Sequence, residues 1–269
     1  MNTALLGLSN NISANISKIE LWSKSFKKHC NGKVILLCAN SSDEELKQCE
    51  GMGIIPIPVS VKDTWYINHE RLKHNYEFLE KADAELILVT DVFDVIFQGN
   101  PFEKMDSSNY DIFVSGEGVR VEQEPWNSNN INSIFPEHFN KCKPIEIINS
   151  GIIAGKRDAL IKLFKRMYEL CEAGSNNHNI KDQAALIVMV ANNQVEKIKI
   201  FNLDDGWAMH CAVAGPTQFF ERWGFKHNIK YGIPYIQNGW VFTKSGNKYD
   251  MVHQFNRIPA WYEAIKNNI

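Results

Sequence analysis

The N-terminal third of the chain alternates short apolar runs with segments of helical periodicity, and that order leaves few folds open. Thr3 to Leu8 reads as a buried strand, after which Ile12, Ile16, Ile19, Trp22 and Phe26 recur at helical spacing. "KVILLCA" (Lys33 to Ala39) is a second strand. Ser42 and Glu45 have the spacing of a capping box, opening a helix that Gly51 would end, and "GIIPIPVS" follows as a third strand. A helix over Arg71 to Lys81, with Leu72, Tyr76 and Leu79 on one side, leads into a fourth strand from Glu85 to Thr90. This β-α-β-α-β-α-β order predicts an α/β fold, Rossmann-like, with a mainly parallel central sheet flanked by helices. In such sheets ligands bind beyond the carboxyl ends of the strands.

The second half is less regular. "YDIFVSGEG" (Tyr110 to Gly118) and "IEIINSGIIAG" (Ile145 to Gly155) read as strands, Lys156 to Glu172 as a helix closed by Gly174, and Lys181 to Asn192 as a further helix. The polar stretches "PWNSNNINS" and "GSNNHNIK" read as surface loops. There is no internal repeat and no Pro-, Gly- or Ser-rich linker, so residues 1–269 are expected to form a single domain.

Composition removes several classes of function. The 269 residues are 44% apolar, enough for a substantial core, and the formal net charge of -2 offers no basic surplus for nucleic acid. No apolar run is long enough to span a bilayer. The six cysteines form no C-x-x-C pair, and several sit in apolar runs as small hydrophobes. Together with a start that lacks a basic n-region and a signal-length apolar run, they point to a cytoplasmic protein, or a luminal one if a leader precedes the sequence.

"ILVTDVFDVIFQGNPF" (Ile87 to Phe102) places Asp91 and Asp94 where the fourth strand ends. Two carboxylates at short range need a cation, a proton or ample water. Oxygen ligands suit Mg²⁺ or Mn²⁺, whose sites often use one or two protein carboxylates and leave the remaining positions to phosphate and water. The pair is equally open to a plainer reading, in which one aspartate caps the next turn and the other is solvated. Rival motifs fail nearby. The D-x-x-D is one residue too long for a D-x-D phosphatase. "GLSNNIS" after the first strand is neither a dinucleotide fingerprint nor a phosphate-binding P-loop. No G-x-S-x-G elbow is present.

The D-x-x-D is followed in order by "NSG" (Asn149, Ser150, Gly151), "DQ" (Asp182, Gln183) and "VHQFNR" (Val252 to Arg257). In this order the sequence resembles metal-dependent glycosyltransferases of the GT-A fold, most closely the group containing the glycosyltransferase domain of collagen lysyl hydroxylases. The resemblance implies Asp91, Asp94 and His253 as ligands of Mn²⁺ or Mg²⁺. It also implies a nucleotide-sugar donor, UDP-sugar by preference, and a glycan or other hydroxyl acceptor. Asp182, Gln183 and Glu117 would serve the sugars catalytically. Leu8, Ser9, Tyr66, Arg71, Thr90, Asn149, Ser150, Gly151 and Asn256 would contact the donor. A nucleotide-binding half would span about 1–118 and an acceptor half about 119–269, with retention at the anomeric carbon. Trp65 is a second aromatic beside Tyr66, and Trp126, Asp204, Asp205 and Trp207 are candidates for the acceptor side, with Trp207 equally open to a place in the core. Two other readings stand beside this one: a catalytically silent binder of sugar nucleotide or glycan, and a metal-dependent nucleotidyl- or phosphotransferase.

Overall fold

The computed structural model describes residues 2–174, 180–211 and 232–269. In chain order the elements are β1 (Thr3–Ser9), α1 (Ile12–His29), β2 (Lys33–Ala39), α2 (Asp43–Gly51), β3 (Ile55–Val59), α3 (Ile67–Leu79), β4 (Leu86–Thr90), β5 (Val95–Phe97), β6 (Ile112–Arg120), α4 (Pro125–Ile134), α5 (Phe139–Cys142) and β7 (Glu146–Lys156). They continue with α6 (Arg157–Ala173), α7 (Asp182–Ala191), β8 (Ile198–Phe201), β9 (Ala208–His210), β10 (Tyr235–Gln237), β11 (Trp240–Phe242), β12 (Met251–His253) and α8 (Pro259–Lys266).

The central sheet has seven strands in the order β3-β2-β1-β4-β7-β6-β8. Only β7 runs against the rest, pairing antiparallel with both β4 and β6. Strand residues alternate between two cores, as a pleat with both faces covered requires. Ala4, Leu6, Ile35, Leu37, Ile87 and Val89 face the side packed by α3, α6 and α7. Leu5, Val34, Leu36, Leu86 and Leu88 face the side packed by α1, including Ile12, Ile19, Trp22 and Phe26. Each fully buried Leu or Ile there contributes about 2 kcal/mol of burial free energy. All six cysteines are buried free thiols.

The capping box opens α2 with both its hydrogen bonds made, and Glu45 also accepts from the Ser13 amide, tying α2 to the start of α1. One expected loop is a helix: α4 covers the whole of "PWNSNNINS". Its polar composition hides the start signal, because Glu124 caps the helix by accepting from the Trp126 and Asn127 amides, and Pro125 occupies the first turn. Ile131 and Ile134 then bury one face. Part of "GSNNHNIK" lies outside the described residues.

A small sheet crosses the carboxyl end of the large one. Its order is β5-β12-β9, with β12 antiparallel to β5 and parallel to β9. Ile96, Met209 and Val252 pack beneath it with Trp261 and Ile265 of α8, forming a third core. Tyr235–Gln237 and Trp240–Phe242 form a hairpin, turned at Asn238 and Gly239, both at positive φ. Among the described residues no helix is long and apolar enough to cross a membrane.

Candidate functional site

The turn between β4 and β5 carries Asp91 and Asp94, and register does the rest. In the small sheet His253 stands opposite Val95, the residue after Asp94, and the Gln254 amide donates to the Asp94 carbonyl at 2.7 Å. His253 Nε2 is thereby set 3.2 Å from Asp91 Oδ2 and 3.5 Å from Asp94 Oδ1. One ligand atom from each of the three residues lies within 4.8 Å of the others.

Two observations test whether this trio fits a cation. His253 Nε2 is buried and makes no hydrogen bond of acceptable geometry, although both carboxylates face it. Gly151 is the second: a Cβ there would press on the His253 ring and sit 2.7 Å from Asp91 Oδ2. Only a residue without a side chain lets β7 pass this close. Two carboxylates and an imidazole, one nitrogen unbonded, form an O/O/N donor set of the kind Mn²⁺ and Mg²⁺ accept. The residues present fit the metal.

Burial alone would lower the His253 pKa, but Asp94 and Asp91 outweigh it and push the imidazole up to about 9. Burial would raise the Asp91 carboxyl; the Arg71 guanidinium and His253 instead hold it well below the usual carboxylate range. Arg71 reaches the site from α3 and places one arm on Asp91 and the other on Asp182 Oδ2, 2.5 Å away. Asp182 opens α7, where the helix dipole also favours a carboxylate, and accepts from Ser150 Oγ at 3.1 Å.

"NSG" lies where β7 slips against β6. The pairing jumps from Val114↔Ile153 to Gly116↔Ile148, so the residues between leave the regular ladder. Bulges of this kind re-aim side chains beside functional sites. Here Asn149 donates to Glu117 Oε1 at 2.6 Å and accepts from the Gly151 amide at 2.7 Å, while the Ser150 amide donates to Gln183 Oε1. Gln183 Nε2 in turn donates to Asn127 Oδ1 at 2.8 Å. Burial raises the Glu117 carboxyl to about 7, partly opposed by the Asn149 hydrogen bond.

A cleft of about 370 Å³ collects these groups: Arg71, Asp91, Asp94, Glu117, Asn149, Ser150, Gly151, Asp182, Gln183 and His253 all line it. Asn68, Glu124, Trp126, Asn127, Gln254 and Arg257 line it as well, and apart from Trp126 sequence reasoning missed them. Trp126 lines the cleft and stands 46% exposed.

Other expected residues lie apart from it. Ser9 is buried and donates to the Asn10 carbonyl, and Leu8 packs against the core at the end of β1. Thr90 is buried and accepts from Trp22 Nε1 at 2.8 Å. The Tyr66 ring packs on His69 with centroids 5.3 Å apart. Asn256 is exposed on the turn after His253 and is not among the residues lining the cleft, whereas its neighbours Gln254 and Arg257 are. Trp207 is core, stacked on Phe201, with Nε1 donating to the Pro101 carbonyl. Asp205 accepts from the Asn202 amide and Asp204 from the Ser245 hydroxyl, both away from the cleft. The Trp65 side chain lies outside the described residues. So do residues 212–231, within the half where the acceptor side was expected.

Fold and site together define the class: the chain has the GT-A fold. No protein-family model matches the sequence, and no curated protein is recognisably similar to it by sequence. Solved structures of the galactosyltransferase LgtC are similar in fold. An active-site mutant of that protein aligns with a TM-score of 0.56 at 12% identity, covering 98% of this chain and 95% of the other. A complex of it with donor and acceptor sugar analogues aligns with a TM-score of 0.56 at 13% identity, covering 98% and 93%.

Proposed function

We propose that the chain is a metal-dependent glycosyltransferase that moves a sugar from a nucleotide diphosphate sugar, by preference a UDP-sugar, to a hydroxyl of a glycan or similar acceptor. One observation carries this reading: the Asp91, Asp94 and His253 trio opens into the same cleft as the Arg71–Asp182 pair, at the carboxyl ends of the strands of a GT-A sheet. Similarity to a galactosyltransferase solved with donor and acceptor analogues supports it. The narrower placement beside the collagen lysyl hydroxylase domains rests on the order of the four sequence patches.

Asp91, Asp94 and His253 would hold Mn²⁺ or Mg²⁺, which when bound supplies Lewis-acid stabilisation of the diphosphate as its charge develops. The other groups bind and orient. Arg71 pairs with both Asp91 and Asp182, so Asp182 is held facing sugar hydroxyls and the positive charge that develops at the anomeric carbon. The Gln183 amide, fixed by Ser150 and Asn127, and the Asn149–Glu117 pair offer further polar contacts along one wall. Trp126 offers a stacking face and Arg257 a cation beside the cleft.

Retention is the stereochemical outcome we favour. An inverting enzyme needs a carboxylate free to take the acceptor proton. Apart from the metal trio, the carboxylates that line this cleft among the described residues are all engaged: Asp182 by Arg71, Glu117 by Asn149 and Glu124 by the α4 amides. We read residues 1–269 as one domain, in which the half before about residue 118 supplies Arg71, Asp91 and Asp94 and the later half supplies the "NSG", "DQ" and Trp126 surfaces.

The test is turnover. The protein with Mn²⁺ should slowly hydrolyse a UDP-sugar when no acceptor is present, and Asp182→Asn should lower that rate while leaving Mn²⁺-dependent UDP affinity nearly unchanged. UDP binding with no hydrolysis or transfer across a panel of donors would leave a silent binder in its place.

A further inference from the structure

A buried chain of polar side chains runs behind the carboxylates and takes no part in the account above. Ser115 Oγ on β6 lies 2.6 Å from His210 Nε2 on β9, and His210 Nδ1 lies 3.0 Å from His253 Nδ1 on β12. The three residues are 1%, 0% and 2% exposed. The parallel pairing of β9 with β12 sets His210 opposite His253, and the two rings meet nearly at right angles, at 88°.

Two ring nitrogens facing each other at hydrogen-bond distance share one hydrogen, and its owner decides what His253 can do on its other side. If His210 owned it, neutral His253 would carry its proton on Nε2 and point an N–H at the carboxylates, leaving no lone pair for a cation. If His253 owns it, Nε2 can give up its own proton to an arriving cation and face it as a ligand beside Asp91 and Asp94. His210 Nδ1 is then the acceptor, and the single N–H of His210 sits on Nε2, directed at Ser115 Oγ.

We infer that His210, backed by Ser115, is a positioning residue that fixes the tautomer and orientation of His253, so that Nε2 meets the metal as a lone pair. The inference rests on the metal reading of Asp91, Asp94 and His253. Imidazole ligands of metals are commonly held this way through their second nitrogen, and loss of such a partner typically weakens metal binding 10- to 100-fold. Here the partner is a second histidine, in a pocket without exposed surface that could supply water in its place.

The test is a Mn²⁺ titration at fixed pH, followed by the electron paramagnetic resonance signal of the free ion, on the intact protein and three variants. His210→Leu should bind Mn²⁺ roughly 10- to 100-fold more weakly, because the His253 Nδ1–H loses its acceptor. His210→Asn keeps an amide oxygen near the position of Nδ1 and should recover much of that loss. Ser115→Ala should weaken binding severalfold. A packing role predicts the reverse ranking, since Leu fills the space better than Asn. Wild-type affinity in folded His210→Leu, or Asn binding worse than Leu, overturns the inference alone. Absence of Mn²⁺ binding in the wild-type protein overturns the metal reading and the inference with it. Should His210→Leu not fold, Ser115→Ala decides: weaker binding supports the inference, and unchanged affinity overturns it.

Discussion

Asp91 and Asp94 are three positions apart, yet they belong to two differently built rims of the cleft. The rim formed by the large sheet and its helices supplies Asp91 and Asp182, and both are charge-compensated by one guanidinium from α3. The rim formed by the small sheet supplies Asp94 and His253, which face each other at 3.5 Å while His253 Nε2 makes no hydrogen bond. The first rim is complete as it stands, and the second is arranged for something that arrives. Breaking the first should cost folding and function together. Breaking the second should cost function with little effect on folding.

Arg71→Met should have the largest effect on stability. It leaves two neighbouring carboxylates, one of them buried, without their cation, and breaking a buried pair in this way costs about 3 kcal/mol. Urea unfolding of the metal-free protein measures it, and a loss within error of zero would erase the distinction between the rims.

Glu117 sharpens the comparison, because it is buried on the large-sheet side and no cation pairs with it. Its carboxyl, ordinarily near 4.5, is raised to about 7 by burial. The folded chain therefore holds a proton through that interval which the unfolded chain has released. Stability from this group is full below about pH 4.5 and falls as pH rises towards 7. Glu117→Gln should match the wild type at low pH and exceed it at pH 8 by on the order of 3 kcal/mol. Parallel stability–pH curves for the two proteins would contradict this.

Gly151→Ala tests the line where the rims meet. A Cβ there displaces the His253 ring or the Asp91 carboxylate, and overpacking of this kind costs roughly 1 to 3 kcal/mol. Thermal denaturation should show the loss, accompanied by weakened Mn²⁺ binding. A fully stable variant with intact Mn²⁺ affinity would mean that the backbone yields there. Asp94→Asn should have the smallest effect on stability, a loss of roughly 1 kcal/mol or less, since the His253 imidazole keeps Asp91 as a counter-charge when Asp94 is neutralised.

How much of this was legible in the sequence differs between the same two regions. Of the first four parallel strands, β1, β2 and β4 announce themselves as apolar runs buried on both faces and β3, half-buried at the sheet edge, as a shorter one, while the Ser42–Glu45 box marks its helix with side chains that make both bonds. Asp91 and Asp94 were visible as charges at the end of such a run. The small sheet was hidden: β5, β9 and β12 have three residues each, too few for a period. Its contents were therefore left open or unseen. Trp207 was open to the acceptor side or the core and is core, while His210, in the apolar string "WAMHC", carried no charge pattern to draw notice. The helix α4 was hidden by its asparagines, although Asn127 is a buried link to Gln183. The position of Arg71 between two carboxylates depends on α3 packing beside α7, which no local pattern records.

The central claim is that the Asp91, Asp94 and His253 trio exists to hold a cation, and through it a nucleotide diphosphate. It is tested most directly by the melting temperature of wild-type and Asp94→Asn protein with UDP, in Mn²⁺ and again with a chelator. The account predicts that UDP stabilises the wild type with Mn²⁺, by about 2.7 kcal/mol at a hundred times its Kd. It should do far less with the chelator, and the folded variant should gain nothing in either condition. Equal stabilisation by UDP in the presence of chelator, or undiminished stabilisation of Asp94→Asn, would contradict it.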